Sequence, residues 1–430
     1  MKRPVSRATL RTAARAILKA GLDAVEPGRL VRANLRVERG KIHAGRIVVR
    51  GAKRVLVVAA GKASGSMMRA AREVLGRQVA TAILVSPYRT RGTSGVESFV
   101  AGHPVPNQSG LLAARRVIRI LERADAGDLV LLLLSGGASA LLPAPVKGVR
   151  LRDKQRITTL LLRRGATIHE LNAVRQQISR LKGGGFARIA APARVIVLAI
   201  SDVAGDDPGV IGSGPACENP NAWTLARQTI SKFLRPGEVP SSIAYALQNP
   251  PVQPATKSTN AQTLVIGSGG TFAEAAARKA RRLGFKARVV IGGLSGEARA
   301  CGPRLVQRFE RLGGRGPACL VVTGETIVRV RGTGIGGRNQ ELALSAASAL
   351  AILPFPSLIA AFGTDGGDGP SGAAGGMVDD KTLSRARLVG LSIQECLDRN
   401  DSTEALRRVG GLLMTGPTLT NVADIALVLG

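Results

Sequence analysis

Six short, uninterrupted apolar runs do most to limit the folds open to this chain of 430 residues. Each run is followed by a glycine-rich turn and then by a stretch whose apolar residues have helical spacing. The runs cover residues 54–60, 129–134, 194–200, 263–267, 319–324 and 357–363. Continuous runs of Val, Ile and Leu are typical of parallel strands that helices cover on both faces. The pattern predicts an α/β fold with mainly parallel sheets, with functional residues after the carboxyl ends of the strands.

The chain is long enough for two domains or more, since domains commonly have about 100–200 residues. Its least periodic stretch, residues 235–263, contains several prolines. Aperiodic, proline-rich segments commonly connect domains. We therefore expect an N-terminal domain over residues 1–245, a linker over 246–262 and a C-terminal domain over 263–430.

Two segments resemble targeting or membrane sequences. The Arg-rich N-terminus resembles a transit peptide, but Ser6 can cap a helix there and Gly21 can end it. The uncharged stretch 342–364 is long enough to span a membrane, but Pro354 and Pro356 divide it into a buried helix and a buried strand. Together with four scattered cysteines, these features predict a cytoplasmic protein in a reducing compartment, without a membrane segment.

The charge of the chain is unusually positive, with 61 Lys and Arg against 29 Asp and Glu, a net +32. Such an excess is typical of proteins that bind nucleic acids. However, aromatic residues make up 3% of the chain, which leaves few side chains for stacking on bases. The excess is mostly arginine in a chain rich in Ala and Gly, as a GC-rich coding sequence would produce. We interpret the charge as compositional bias that can also steer anionic ligands, and we expect no nucleic-acid partner.

Two glycine-rich turns in the N-terminal half offer backbone N–H groups to an anion. The turn Gly61-Lys62-Ala63-Ser64 follows the first run and precedes a helix, and Lys62 adds a positive charge. Neither a P-loop nor a GxGxxG dinucleotide motif is present there. The turn Ser135-Gly136-Gly137 follows the second run but lacks the preceding glycine of a nucleophile elbow. Both turns are candidates for binding phosphate or carboxylate, although the first could be only a tight strand-to-helix turn.

Three acids follow the third run, at Asp202, Asp206 and Asp207. Clustered carboxylates repel one another unless a cation or a proton is shared. Mg²⁺ suits such a loop, because it is usually bound through one or two carboxylates together with phosphate oxygens. The alternative is that Asp202 and Asp207 are turn and cap residues.

The C-terminal half contains two further glycine-rich segments. Residues 319–347 predict a strand, a second strand, a glycine loop and a helix that begins near Arg338 and Asn339, where an Arg fork and backbone N–H groups could hold phosphate oxygens. Glu341 lies one turn into the helix, and its only role could be a favourable interaction of its negative charge with the helix dipole. Residues 361–376 place Asp365 and Asp368 on a turn with many glycines, which close approach of a ligand to the backbone would explain.

These residues form the set that phosphoryl transfer requires. Two cations, Lys62 and Arg338, can neutralise developing charge on phosphate oxygens. The acidic loops can hold Mg²⁺ and accept the proton of an attacking hydroxyl. An activated Ser or Cys nucleophile is not needed.

The motifs, in their order, resemble the glycerate 2-kinase family, whose C-terminal part is the MOFRL domain. They are GKASGSMMRAA, GHPVPNQSG, LSGGASALLPAP, LNAVRQQISRLKGGG, ISDVAGDDPGVIGSGP, VTGETIVRVRGTGIGGRNQELAL, GTDGGDGPSGAAGG and TGPTLTNVADIAL. The resemblance covers nearly the whole chain. It implies a Rossmann-like N-terminal domain, a MOFRL-type C-terminal domain and a cleft between them.

The resemblance also implies a reaction, the transfer of the γ-phosphoryl group of ATP to the 2-hydroxyl of D-glycerate, with Mg²⁺. It implies catalytic roles for Lys62, Asp202, Arg338 and Asp365, without saying which aspartate is the base and which binds the metal. The metal candidates are Asp202, Asp206 and Asp365. The glycine-rich turns add candidate cofactor contacts at Gly61, Ser64, Ser135, Gly136, Gly137, Asn339 and Gly366.

The chain departs from the family pattern at Ala138, Gly185 and Leu419, of which the last two could shift substrate preference. His103 lies in a loop that we expect near the cleft, in a structural role. A second hypothesis is an NAD(P)H-dependent hydroxypyruvate reductase, a name common in this family, and a third is a basic nucleic-acid-binding protein. The sequence does not distinguish a monomer from a homodimer.

Overall fold

The computed structural model describes residues 7–92, 94–249, 260–312 and 317–430. Contacts divide the chain into two compact units. The first unit comprises Pro27–Ser201 and Asp206–Ile266. The second unit comprises Asp202–Gly205, Gly267–Gly430 and the described residues up to Glu26, which form helix α1 (Arg7–Ala24).

The first unit is built on a six-stranded sheet covered by helices, with a small separate three-stranded sheet. Its strands are β1 (Leu35–Glu38), β2 (Lys41–Ala44), β3 (Ile47–Val49), β4 (Arg54–Ala60), β5 (Val79–Ser86), β6 (Glu97–Val100), β7 (Asp128–Leu134), β8 (Arg194–Ile200) and β9 (Ala261–Gly267). Its helices are α2 (Pro27–Asn34), α3 (Ser64–Leu75), α4 (Gln108–Leu121), α5 (Ala138–Leu141), α6 (Leu151–Arg163), α7 (Ile168–Gln177), α8 (Gly185–Ala190), α9 (Ala222–Phe233) and α10 (Ser241–Gln248).

The order of the large sheet is β6-β5-β4-β7-β8-β9, and the pairs β5–β6, β4–β5, β4–β7 and β7–β8 are parallel. In chain order this is 3-2-1-4-5-6, the order of a Rossmann fold, so the Rossmann-like prediction is confirmed. β7 is buried along its whole length and β4 is buried after its first residue, as their continuous apolar runs predict. The strand order reverses between β4 and β7, which is where doubly wound sheets bind ligands.

The second unit is built on another six-stranded sheet, with order β10-β11-β15-β12-β13-β14. Its strands are β10 (Lys286–Leu294), β11 (Ala318–Gly324), β12 (Leu358–Gly363), β13 (Gly375–Asp379), β14 (Leu412–Leu413) and β15 (Asp424–Leu429). Its remaining helices are α11 (Gly269–Arg282), α12 (Ala298–Arg311), α13 (Arg338–Ser345), α14 (Ala347–Ala351), α15 (Thr382–Leu388), α16 (Ile393–Asp398) and α17 (Ser402–Arg408).

The α/β class is confirmed for both units, but the mainly parallel character belongs to the first sheet. Among the described strands of the second sheet, β10–β11 is a parallel pair and the other four pairs are antiparallel. The apolar runs could not show this difference. β12 and β15 are buried on both faces. The sequence of such a strand is a continuous apolar run, whether the neighbouring strand is parallel or antiparallel to it.

The boundaries of the units differ from those expected from composition. Helix α1 belongs to the second unit, where Arg7 and Arg11 pair with Asp380 and Asp379 (2.7 and 2.8 Å). Strand β9 joins the sheet of the first unit although its last part falls in the predicted C-terminal domain. The expected linker, 246–262, begins inside α10, and its central residues lie outside the described part of the chain.

Two local predictions fail for identifiable reasons. Gly21 lies inside α1 instead of ending it, because the missing side chain makes room for the ring of Phe272, 2.4 Å from where a Cβ would lie. The second strand predicted after β11 is not formed, and residues 325–337 are a loop in which Ile327 and Val330 are 65% and 76% exposed. Residues 342–364 do contain helix and then strand, and none of the described helices is long and apolar enough to cross a membrane.

Candidate active site

Charged side chains gather at one edge of the second sheet. Strands β11 and β12 flank β15 and both pair with it antiparallel, so the two strands run in the same direction. Their carboxyl ends therefore meet the start of β15. This arrangement brings Glu325, after β11, and Asp365, after β12, to the edge where Asp424 begins β15.

Arg338 is held by two carboxylates at this edge. It is the first residue of α13, and its Nε lies 2.5 Å from Asp424 Oδ2 while its Nη2 donates to Asp424 Oδ1 at 3.1 Å. Glu325 pairs with the other end of the guanidinium. Burial acts to lower the pKa of Arg338, but Asp424 and Glu325 outweigh it and raise that pKa. The guanidinium is thus a positive charge held in place by carboxylates at both of its ends.

Asp424 was not identified from the sequence. Burial raises the pKa of its carboxyl to about 6, partly offset by Arg338, so the group is ionised at neutral pH. A methyl group at Gly363 would lie 3.3 Å from Asp365 Oδ1 and 3.5 Å from Asp424 Oδ1. The two carboxylates therefore face the same small space beside the end of β12.

The segment 415–424 connects the acids of this edge. Thr418 N donates to the carbonyl of Asp365 at 3.3 Å, and Asn421 Nδ2 donates to Asp202 Oδ2 at 3.0 Å. Asp202, Asp365 and Arg338 thus all contact one loop of the second unit. Asp206 falls in the first unit instead, so the acids of the ISDVAGDD motif are divided between the units. Asp207 accepts from Gly209 N at 2.8 Å, which is the turn role considered for it.

Asp368 occupies the N-terminus of α13. Its carboxylate accepts from the backbone N–H groups of Asn339 (3.1 Å) and Gln340 (2.8 Å), and also from both of their side chains. Burial raises the pKa of Asp368, and these hydrogen bonds oppose that shift. The backbone N–H groups at the start of α13, which we expected to bind phosphate oxygens, therefore donate to a protein carboxylate instead. Asn339 is itself buried in this network.

The glycines of these loops allow backbone segments to approach each other. A Cβ at Gly337 would lie 2.3 Å from the Asp368 carboxylate, and one at Gly366 would lie 2.0 Å from the carbonyl of Gly416. Close contact within the protein accounts for both residues without a ligand. Glu341 is buried and bonded to Asn400 (3.1 Å), and it pairs with Arg299 (3.4 Å), which makes it a structural link between helices.

The glycine turns of the first unit meet at the point where the strand order reverses. Lys62 N donates to the carbonyl of Gly136 (2.9 Å), and Ala63 N donates to Ser135 Oγ (3.0 Å). The buried Ser64 hydroxyl donates to the carbonyl of Gly61 (2.7 Å). The first two hydrogen bonds join the turn after β4 to the turn after β7, and the third lies within the turn after β4. Nucleotide contacts by Gly61, Ser64, Ser135, Gly136 and Gly137 remain predictions, as do those of Asn339 and Gly366.

We expect Gly61→Ala to destabilise the first unit strongly. Gly61 has φ +129°, and a Cβ there would lie 2.1 Å from Ser135 Oγ and 2.5 Å from its carbonyl oxygen. Strain and overpacking together predict a loss of about 3 kcal/mol or more in the free energy of unfolding. Chemical denaturation measures it. The matched control is Gly148→Ala, at φ +86° with nothing within 4 Å, which should cost only about 1–2 kcal/mol. Equal losses in the two variants would contradict the contact between the turns.

A groove of about 770 Å³ lies beside Arg338 in the second unit. The exposed apolar side chains of Ile327 and Val330 lie along it, with Pro370. Its volume falls within the range of about 300–1,000 Å³ that is usual for small-molecule sites. The groove combines this apolar surface with four charged residues, which are Arg338 and the acids Glu325, Glu341 and Asp368.

A magnesium ion is compatible with the carboxylates of this edge. Among the described residues, no three His, Cys, Asp or Glu side chains form a group that could enclose a metal. Mg²⁺ needs no such cage, because it commonly binds one or two carboxylates together with phosphate oxygens and water. Asp202, Asp206 and Asp365 are each half-buried, but only Asp202 and Asp365 belong to the second unit, whereas Asp206 belongs to the first.

The fold is that of a two-unit α/β protein with charged side chains gathered at one edge of the second sheet. Residues 13–248 match the family model described as "Domain of unknown function (DUF4147)", and residues 318–424 match that of the "MOFRL family". A D-glycerate 2-kinase from Thermotoga maritima is 39% identical over 96% of each chain. A glycerate 2-kinase from Pyrococcus horikoshii is 38% identical, covering 90% of this chain and 91% of that one.

A solved structure agrees with these matches. The crystal structure of a glycerate kinase from Thermotoga maritima superimposes with a TM-score of 0.85 at 37% identity, covering 98% of this chain and 99% of that one. The chain belongs to the glycerate 2-kinase family, which confirms the resemblance.

Proposed function

We propose that this protein is a glycerate 2-kinase, which uses ATP to phosphorylate the 2-hydroxyl of D-glycerate and releases 2-phosphoglycerate and ADP. The observation that carries the proposal is the pairing of Arg338 with Asp424, at the end of a segment whose Thr418 and Asn421 donate hydrogen bonds to Asp365 and Asp202. A fixed cation next to carboxylates supports phosphoryl transfer, because that reaction needs charge stabilisation and a proton acceptor more than covalent chemistry. The named activities of the relatives support the same conclusion.

We assign roles to the residues from their chemistry. The hydroxyl oxygen on C2 of glycerate attacks the γ-phosphorus, the bond from that phosphorus to the bridging oxygen breaks, and ADP leaves. Asp202 or Asp365 accepts the hydroxyl proton, and the other would hold the Mg²⁺ ion. Arg338 and Lys62 balance charge on the phosphate oxygens. When bound, Mg²⁺ supplies further neutralisation of the phosphates.

The hydroxypyruvate reductase hypothesis has one observation in its favour. A relative from Agrobacterium vitis, 38% identical over 87% of this chain and 99% of its own, carries a provisional hydroxypyruvate reductase name. The residues give this reading little support. The turn at the strand-order reversal lacks GxGxxG, and no acid follows the next strand to hold a ribose.

Cytoplasmic location and the absence of a nucleic-acid partner stay predictions.

A coupled assay of ADP release with D-glycerate and Mg²⁺-ATP tests the kinase, with Lys62→Ala as the variant and Lys53→Ala as an exposed control. Turnover by the wild type and the control, with a loss on the order of a hundredfold in Lys62→Ala, is expected. Turnover at background in the wild type, together with NADH- or NADPH-dependent reduction of hydroxypyruvate, would replace the kinase with the reductase.

The pH dependence of the reaction should depend on Asp424. Above its pKa of about 6 the carboxylate is charged and holds the Arg338 fork, whereas below pH 6 protonation removes that charge. We therefore expect kcat to fall as the pH decreases through 6. Asp424→Asn keeps the size and an acceptor oxygen but cannot titrate. Its pH profile should lack this limb, and an unchanged limb in the variant would contradict the assignment.

A further inference from the structure

Two buried lysines and one half-buried arginine of the first unit lie on, or directly after, two helices that share a hydrophobic core. Lys154 lies on α6, Arg175 on α7 and Lys182 on the turn that follows α7. Both lysines are only 3% exposed. The three belong to different segments of the chain, so the fold, and not a run of basic sequence, brings them together.

This group of basic side chains has no compensating acid. The Nζ atom of Lys154 is buried and has no hydrogen-bond partner among the described residues. Lys182 Nζ donates to the carbonyl of Ser139 at 2.9 Å. Within the described part of the chain, no carboxylate pairs with either lysine or with Arg175. A buried charge without a counter-charge is costly, so the arrangement calls for an explanation.

The pKa shifts agree with this picture. Burial, with a smaller contribution from Arg175, lowers the pKa of Lys154 to about 7. Burial also lowers the pKa of Lys182 well below its usual value, and the charges of Lys154 and Arg175 add to that effect. The three cations therefore lie close enough to repel one another, and an anion among them would relieve that repulsion.

The group lies next to the glycine turn after β7. Ser139, which accepts from Lys182, is in α5 directly after that turn, and its hydroxyl contacts that of Ser213 at 2.9 Å. Gln155, the neighbour of Lys154 on α6, donates to the carbonyl of Pro106 at 2.6 Å. His103, on the same loop as Pro106, lies against Gly137, where a Cβ would be 2.9 Å from the imidazole. The cations thus lie beside the loops at the strand-order reversal.

We propose that Lys154, Arg175 and Lys182 form a binding site for a small oxyanion that enters beside the turn Ser135-Gly136-Gly137. Carboxylates and phosphates share the chemistry that such a group recognises, several oxygens that accept charge-assisted hydrogen bonds. The identity of the oxyanion rests on the proposed function, in which glycerate supplies a carboxylate and ATP supplies phosphates. Binding itself does not rest on that function.

A binding role and a purely structural role predict opposite effects of Lys154→Met on stability. Methionine has similar length and no charge, so it removes a desolvated amine that the protein leaves without a partner. If the amine serves to bind an anion, the variant should have a higher Tm than the wild type without added anion. If the amine supports the fold, the Tm should fall, and that result would overturn the proposal.

Isothermal titration calorimetry of the full chain with inorganic phosphate, at constant ionic strength, tests the binding. We expect Lys154→Met to weaken phosphate binding by about tenfold or more, since it removes a charge-assisted hydrogen bond. Lys147→Met, which removes an exposed lysine of the same unit, is the matched control and should bind as the wild type does. Equal affinities in all three proteins would overturn the proposal.

The steady-state constants of Lys154→Met then identify the source of the oxyanion. A raised KM for D-glycerate assigns the site to the carboxylate of the acceptor, and a raised KM for ATP assigns it to the nucleotide phosphates. Unchanged KM values with unchanged kcat would overturn the assignment of the oxyanion to either substrate. If the wild type has no kinase activity, the proposed function fails, and the calorimetry still decides whether the oxyanion site exists.

Discussion

Arg338→Met should lower kcat for glycerate phosphorylation by on the order of a thousandfold, because it removes a fixed cation from the site of charge development. The guanidinium lies 2.5 Å from Asp424 and is also paired with Glu325, so its position is set before any substrate binds. Arg338→Lys keeps the charge but not the planar fork, and it should recover only part of the rate. Steady-state kinetics of the three proteins gives the comparison.

The same substitution should also destabilise the second unit, which needs a separate control. Removing Arg338 leaves the buried Asp424 without its partner, which we expect to cost about 2 kcal/mol, less than for a fully buried pair because the Arg338 side chain is 37% exposed. In the double variant Arg338→Met with Asp424→Asn the buried charge is gone, so stability should recover while activity does not. Recovery of activity together with stability, or a loss of less than tenfold in folded Arg338→Met, would show that Arg338 has no catalytic role.

Asp202→Asn and Asp365→Asn should each lower kcat by about 10²–10⁴-fold, and they should differ in their response to Mg²⁺. Loss of a metal ligand weakens metal binding, so that variant should need a higher Mg²⁺ concentration for half-maximal rate. Loss of the proton acceptor should leave the Mg²⁺ dependence unchanged. Titration of the rate with Mg²⁺ at saturating substrates separates the two roles.

Asp23→Asn is the matched control for these variants. Asp23 is an exposed residue of α1 paired with Lys19, and its loss removes the same charge from the same unit. Its kcat should stay within about twofold of the wild type, as is usual for surface positions. Wild-type rates in both Asp202→Asn and Asp365→Asn would remove these residues from the mechanism.

Much of the first unit could be predicted from local sequence, because parallel strands covered on both faces produce continuous apolar runs. The runs at 54–60 and 194–200 coincide with β4 and β8. The same reasoning could not give strand direction in the second unit. Local sequence also assigned α1 to the N-terminal domain. In the structure, α1 is attached to the second unit by two ion pairs whose partners are 373 and 368 residues apart in the sequence.

The candidate site was predictable where a charged residue follows a strand, and not where the partner is distant in sequence. Asp202 and Asp365 stand at such positions, and Arg338 begins the helix that follows the glycine loop after β11. Asp424 is 86 residues from Arg338, and Asn421 is 219 residues from Asp202, so only the fold reveals those contacts. Asp368 appeared to belong to a ligand turn but caps α13, because glycine at position 337 lets its carboxylate approach the backbone. No sequence motif indicated that Lys154, Arg175 and Lys182 form a group.

Phosphorus NMR of the product formed from D-glycerate and Mg²⁺-ATP tests the proposed kinase most directly. Glycerate phosphorylated on the 2-hydroxyl, in amounts equal to the ADP released, is the result that we predict. The same product should be absent with Arg338→Met. Phosphate on the 3-hydroxyl would contradict the assigned position of transfer, and ATP left intact would contradict the kinase itself.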